Sequence, residues 1–316
     1  MMEHYVTLFD SLFLPQGLAL HMSMERHVKD YTLWIICVND ETYEVLTRLS
    51  LLNVRLLQLS QLETKELLRV KPIRSKGEYC WTLTPFAPRF VFEADEEVKR
   101  VTYLDADLWF RMSPEPIFNE LKYSQKSILI TDHAYSPKYD QSNVSGRYCV
   151  QYITFSRDIP AEKVRVWWED RCIEWCFARF EDGKFGDQKY LDQWPKLFSN
   201  HVHILIEKSF TQAPWNTDRF KYEAAIFYHF HGLRIEIKKK GNVIVHLFNY
   251  RIPRDFIKNI YEPYLCDLRK SISLLNEKTD FRIKSQMQIT TAQKFTSYII
   301  GILRESRNIT TLKVIS

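Results

Sequence analysis

The chain is poor in the residues that interrupt folded structure, with 8 Gly and 12 Pro in 316 positions. That scarcity excludes collagen-like, linker-like and low-complexity chains. Its six cysteines, at 37, 80, 149, 172, 176 and 266, form no Cys-x-x-Cys pair and no zinc-type spacing. Cys172 and Cys176 stand four apart and read as buried apolar thiols on one helix. No uninterrupted apolar run approaches the ~20 residues that a membrane-spanning helix needs. The opening MMEHYVTLFDSLFLPQGLAL has no Lys or Arg before its apolar part and is interrupted by Asp10, a poor match to a secretory signal. The expected location is cytoplasmic, peripheral to a membrane at most. Charge of one sign is also scarce: 44 Lys plus Arg against 39 Asp plus Glu leaves a net +5. Spread over this length, that is too dilute for a nucleic-acid-binding surface and fits a site that attracts phosphates. No internal repeat and no clear linker is apparent.

What is present is a core. Hydrophobic residues make up 45% of the chain and aromatics 14%, enough for one large domain or a domain with an extension. Tyr5–Phe9 is a short β-rich run ending at Asp10, followed by a helix-compatible stretch through Leu18, Met22 and Val28. Residues 32–38 are almost entirely apolar and stop at Asn39-Asp40, as a strand buried on both faces does. A helix over 41–51 and a strand over 54–59 complete the opening of a doubly wound α/β domain. Ligands of such sheets bind at the carboxyl ends of the strands, which places Asp10 and Asn39-Asp40 near a site. Further strands are predicted at 101–104, 127–131 and 148–155. A helix is predicted from the cap Asp158 and Pro160 to Gly183, with Val164, Trp167, Trp168, Cys172, Trp175, Cys176 and Phe180 as its core stripe. The expected organisation is an α/β domain over 1–250 and a helical extension over 251–316. In the extension Ile283, Met287, Phe295, Ile299, Ile302 and Leu303 form an apolar side flanked by Arg282, Lys284, Lys294, Arg304 and Arg307.

Three local patterns carry chemistry. Leu104 leads from an apolar strand into Asp105-Ala106-Asp107, and two carboxylates two residues apart on an extended backbone project to one side. They repel unless a cation lies between them or one is protonated, and hard divalent ions are the natural occupants. Solvated loop carboxylates are the bland reading of such a pair, but here core residues flank it on both sides. Gly186-Asp187-Gln188 follows the long helix and offers a flexible backbone, a charge and an amide; Asp187 can also simply cap a helix over 188–194. In Phe227-Tyr228-His229-Phe230-His231-Gly232 the two histidines share a face, as core imidazoles or as a metal ligand beside carboxylates.

In this order the three patterns resemble the metal-dependent glycosyltransferases of the GT-A fold, most nearly family 8, over roughly residues 3 to 235. The resemblance rests on D-x-D (Asp105, Asp107), D-Q (Asp187, Gln188) and H-F-x-G (His229 to Gly232). It implies that Asp105, Asp107 and His229 hold Mn²⁺ or Mg²⁺, which binds the diphosphate of a nucleotide-sugar, a UDP-sugar first. It implies contacts to the nucleotide from Thr7, Phe9 and Asp10, with Leu104 and Ala106 beside the motif and Arg74 reaching the diphosphate or donor. Asp187 and Gln188 would lie at the donor sugar and its reacting carbon. The chain departs from the family after H-F-x-G, where Leu233-Arg234-Ile235 stands in place of Lys-Pro-Trp; either Arg234 replaces the cation or that lid is absent. It also lacks the family's Asn-Ser-Gly-Val segment, and Cys149-Val150-Gln151-Tyr152 stands in that place.

The function expected is transfer of a sugar, with retention as in family 8, to a glycan or lipid-linked glycan of the cell envelope. The basic tail would suit an anionic membrane surface, or a helix packed on the catalytic domain. Two other readings stand beside it. A nucleotidyltransferase would want a Gly-rich loop after the first strand, where only Gly17 occurs. A non-catalytic nucleotide-sugar- or glycan-binding subunit would carry a degenerate site.

Overall fold

The computed structural model describes residues 2–237, 243–247 and 249–286, together with the backbone of 310–314. Thirteen strands occur among them: β1 (Glu3–Phe9), β2 (Tyr31–Cys37), β3 (Val54–Gln58), β4 (Arg100–Leu104), β5 (Leu108–Phe110), β6 (Ile128–Asp132), β7 (Tyr148–Ser156), β8 (Val202–Ile204), β9 (Thr211–Gln212), β10 (Phe227–His229), β11 (Leu233–Ile237), β12 (Val243–Leu247) and β13 (Thr310–Val314). Seven form a central sheet in the order β3-β2-β1-β4-β7-β6-β8. The first four run parallel, and β7 is antiparallel to both its neighbours. The sheet is buried on both faces, which is why β2 reads as an unbroken apolar run. On one face Tyr5, Leu33, Ile35 and Tyr152 pack with residues of the helices Leu14–His27 and Glu115–Ser124. On the other Val6, Leu8, Trp34 and Ile36 meet the helices Lys76–Leu83 and Ala87–Ala94. Gly17 lets the first of these helices close on β1, because a Cβ there would lie 2.5 Å from the buried Phe9 ring.

Two small sheets complete the fold: β5-β10-β9, and the antiparallel β11-β12-β13. The second corrects the expectation that everything after 251 is helical. Helix is present there in Arg254–Phe256, a π-turn at Ile257–Tyr261 and Glu262–Lys278, but Thr310–Val314 pairs with β12. Strand pairing across so many residues leaves no local periodicity to read. Met287, Lys294, Phe295, Ile299, Ile302, Leu303, Arg304 and Arg307 lie outside the described residues. Among the described residues no helix is long and apolar enough to cross a membrane.

The long helix predicted to reach Gly183 is also shorter. Asp158 caps it as expected, accepting from the Ala161 amide at 2.8 Å, but it ends at Glu174 with Trp175 extended. Its last carbonyls are taken by tertiary donors instead of another turn: Tyr190 hydroxyl on Trp175 at 2.8 Å and Arg74 on Ile173 at 3.4 Å. Val164, Trp168 and Cys172 do face the core, whereas Phe180 is exposed on the loop that follows.

Candidate active site

The site is built where β4 leaves the sheet. Asp105 donates its amide to the Gln151 carbonyl of β7 at 3.1 Å, and the Leu108 amide donates back to the Asp105 carbonyl at 3.2 Å. This tight turn carries Asp105 and Asp107 and starts β5 at once. In the small sheet Leu108 pairs with His229, and the Phe230 amide donates to the Asp107 carbonyl at 3.0 Å. Residues more than a hundred positions apart are thereby fixed to one corner. The donor atoms of Asp105, Asp107 and His229 all lie within 4.8 Å of one another.

The surroundings of the three fit a divalent cation. His229 Nε2 lies 3.1 Å from Asp107 Oδ1 and 3.7 Å from Asp105 Oδ2. Its other nitrogen, Nδ1, donates to Gln151 Oε1 at 2.8 Å, so that Nε2 is the atom aimed at the carboxylates. Tyr103 hydroxyl donates to Asp105 Oδ1 at 3.0 Å and leaves Oδ2 facing the group. Burial pushes the Asp105 carboxyl up to about 6, with His229 pulling it down and Asp107 pushing it further up. For Asp107 burial acts in the same upward sense, but the imidazole prevails and holds it at about 2. Burial opposes charge on His229, yet the two carboxylates keep it above its ordinary range. Two acids and an imidazole that stabilise one another only by sharing a proton are the donor set a hard-to-intermediate dication would satisfy.

Asp187 is buried near this group. Burial and then the Asp105 charge raise its carboxyl to about 7, and its Oδ2 has no hydrogen-bond partner. Its carbonyl accepts from Trp168 Nε1 at 2.8 Å. Asp187 stands at the N-cap position of the 3₁₀ turn Gln188–Gln193, which is followed by Trp194–Leu197, but makes no side-chain cap bond to it. Gly186, at φ +53°, sets this turn against the Trp81 ring, leaving 3.3 Å for any Cβ. Gln188 spends its amide N–H on the Ser145 carbonyl at 2.8 Å, which ties the turn to the loop between β6 and β7.

The other expected contacts are placed as follows. Asp10 accepts from the Leu12 amide at 3.0 Å, and Asn39 beside it caps the helix Asp40–Leu49 while donating to Ser11 Oγ at 3.3 Å. The carboxyl ends of β1 and β2 are thus joined through Ser11 and Asn39. Thr7 and Phe9 are buried side chains, and the Phe9 carbonyl accepts from the Val38 amide at 3.1 Å. Leu104 and Ala106 are buried too, with the two acids on either side of Ala106. Arg74 lies with its guanidinium 3.8 Å from the centre of the Phe177 ring, braced against the end of the long helix. His231 is not one of the three candidate ligands; its ring lies beside that of His229, with centroids 5.8 Å apart, and its Nδ1 is 3.1 Å from Tyr250 hydroxyl. Trp215 is buried, donates to the His133 carbonyl at 2.8 Å and meets His229 edge to face, so it is a wall of the site.

Sequence reasoning assigned no role to Gln151, Tyr103 or Asp132. Gln151 had a signal, as a polar residue in the middle of the apolar run of β7. Asp132 is buried at the end of β6, held by Lys208 at 2.8 Å and Arg147 at 3.0 Å; no spacing in the chain announces either partner.

No protein-family model matches the chain. The central sheet and its flanking helices match glycosyltransferases of the GT-A fold, and the chain has that fold. The galactosyltransferase LgtC, in complex with donor and acceptor sugar analogs, is 13% identical, with 88% of this chain and 97% of that one covered and a TM-score of 0.51. The apo-form glycosyltransferase GlyE of Streptococcus pneumoniae TIGR4 is 14% identical, with 88% and 63% covered and a TM-score of 0.52. Among curated sequences, the uncharacterized protein YfnD of Bacillus subtilis (strain 168) is 29% identical over 284 residues, covering 85% of this chain and 89% of its own. The uncharacterized protein YfnF of the same strain is 32% identical over 255 residues, 74% of this chain and 83% of its own length, and the chain belongs to the family of YfnF.

Proposed function

We propose that the protein is a metal-dependent glycosyltransferase that moves a sugar from a nucleotide-diphospho-sugar, a UDP-sugar first, to a glycan or lipid-linked glycan acceptor of the cell envelope. The observation that carries the reading is the convergence of Asp105, Asp107 and His229 at the carboxyl edge of a GT-A sheet, with Nε2 of His229 aimed by Gln151. When bound, Mn²⁺ or Mg²⁺ would neutralise the charge that develops on the departing nucleoside diphosphate. The protein's own residues do the rest. Asp105, Asp107 and His229 hold the cation. Asp10, at the joined ends of β1 and β2, is the candidate for the nucleoside, together with the backbone at Thr7 and Phe9. Arg234 acts on Asp107 and His229 through its charge, and its Nη1 donates to the neighbouring Leu233 carbonyl at 2.8 Å, which places a cation beside the group and suits it to the diphosphate. Asp187, buried with one oxygen unpaired, and Gln188, with its amide oxygen uncommitted to Ser145, are proposed to face the donor sugar. Retention at the anomeric carbon is the outcome carried over from family 8.

The test is turnover of a panel of nucleotide-sugars by the purified protein with Mn²⁺ and with chelator, with and without glycan acceptors. Release of nucleoside diphosphate from one donor, lost on chelation, is expected. Metal-dependent donor binding without turnover of any donor would move the protein to the class of non-catalytic binding subunits.

A further inference from the structure

The residues next to the metal-ligand candidates dock on one helix that the sequence assigned to the extension. Trp109, two residues after Asp107, donates Nε1–H to Asp267 Oδ2 at 2.8 Å. Phe230, directly after His229, stacks on Tyr264 with ring centroids 3.5 Å apart and planes 9° from parallel. Trp109 meets both Phe230 and Tyr264 edge to face. Tyr264 and Asp267 lie on Glu262–Lys278, whose start is set by the π-turn Ile257–Tyr261. That turn aims Tyr261 at the same strand, where its hydroxyl lies 3.1 Å from that of Tyr228.

Asp267 is the chemically costly element of this dock. It is 3% exposed, pairs with both terminal nitrogens of Arg26 on the helix Leu14–His27, and has Lys270 at 3.8 Å. Arg26 also lies over the Trp109 ring at 5.8 Å. A buried carboxylate with its countercharge contributes little net stability compared with apolar packing, but it fixes direction: Trp109 Nε1 has one acceptor. The direction matters because Trp109 lies in β5, whose first residue pairs with His229.

Resting on the proposed metal site, we infer that Asp267 is a positioning residue. Through Trp109 it sets β5 against β10, and hence the spacing of Asp107 and His229. The helix Glu262–Lys278 is then part of the site's framework. Loss of such supporting contacts to metal ligands weakens metal binding by roughly 10–100-fold in other sites, and a contact one residue further out should act near the lower end.

The test is Mn²⁺ titration of the full chain by the loss of the free-ion electron paramagnetic resonance signal, with no donor present. Trp109→Phe removes the N–H together with the five-membered ring of the indole and leaves both members of the Arg26–Asp267 pair in place, and Asp267→Asn removes the charge; the same loss of ring is made in the control below. Trp34→Phe, which deletes a comparable N–H bond to His4 on the far side of the sheet, is the control for stability. Weaker Mn²⁺ binding by about tenfold in Trp109→Phe and Asp267→Asn, with an unchanged affinity in Trp34→Phe, is expected whatever the three do to the thermal midpoint. Folded Trp109→Phe and Asp267→Asn proteins with wild-type Mn²⁺ affinity would overturn the inference and leave the transferase reading intact. Equal weakening in the control would also overturn it. No Mn²⁺ binding by the wild-type chain would remove the metal-site reading itself and this inference with it.

Discussion

The two sides of the site are made differently. The β1–β2 side is assembled from the single stretch 3–39, by parallel strands in register from Glu3 with Tyr31 to Phe9 with Cys37. Its polar residues are helix caps, Asp10 and Asn39, whose oxygens already accept backbone amides. The β5–β10 side is assembled from three-residue strands far apart in the chain and is filled with side chains that need one another: two acids, an imidazole, an amide and a buried ion pair. The first side is held by local propensity and apolar burial, the second by mutual satisfaction of polar groups. Substitutions on the first side should therefore cost stability and spare the metal, and those on the second should do the reverse.

The largest effect is expected from Asp107→Asn. It removes one of two adjacent acids and, with it, metal-dependent donor binding, for a loss of several kcal/mol of leaving-group stabilisation and about 10³-fold in turnover. The thermal midpoint without metal should move little, because relief of the repulsion on Asp105 offsets the lost pairing with His229. Unchanged turnover would sink the D-x-D assignment. Gln151→Ala should weaken Mn²⁺ binding by roughly 10–100-fold by freeing the imidazole of His229 to turn; a wild-type affinity would show that the ring is held by Trp215 alone.

On the other side, Gly17→Ala drives a Cβ into the Phe9 ring and should cost about 1–3 kcal/mol, a lower thermal midpoint at wild-type Mn²⁺ affinity. Loss of metal binding in this variant would erase the distinction between the two sides. The last effect is a pH slope. Burial holds the His133 imidazole down at about 4 against an ordinary 6.5, so the unfolded chain binds the proton more readily. Its contribution is complete above pH 6.5 and is lost as pH falls through 4. A plot of thermal midpoint from pH 7 to 4.5 should slope less steeply in His133→Gln than in the wild type, and parallel plots would exclude His133 as a source of the slope.

The same contrast explains what could be read from the sequence. The strand ends at Asp10 and Asn39 and the D-x-D turn followed from local runs of apolar residues stopped by polar ones. His229 was placed by the order of motifs, and the structure brings it to Asp105 and Asp107. The roles of Asp132 and Asp267 were not legible, because each acquires meaning only from a partner 15 or more positions away, and Gln151 showed only as a polar exception in an apolar strand. The end of the long helix at Glu174 escaped notice for the same reason, since Tyr190 and Arg74 decide it. Apolar periodicity is written along the chain, whereas polar satisfaction is written across it.

The most direct test of the central claim is the thermal midpoint of the wild-type protein against UDP and other nucleoside diphosphates and their sugars, each with Mn²⁺ and with chelator. A ligand at a hundred times its dissociation constant adds about 2.7 kcal/mol, a shift that is readily measured. The account predicts an upward shift for one diphosphonucleotide and its sugar that vanishes with chelator and is absent in Asp107→Asn. A flat midpoint across the whole panel in the presence of Mn²⁺ would contradict it.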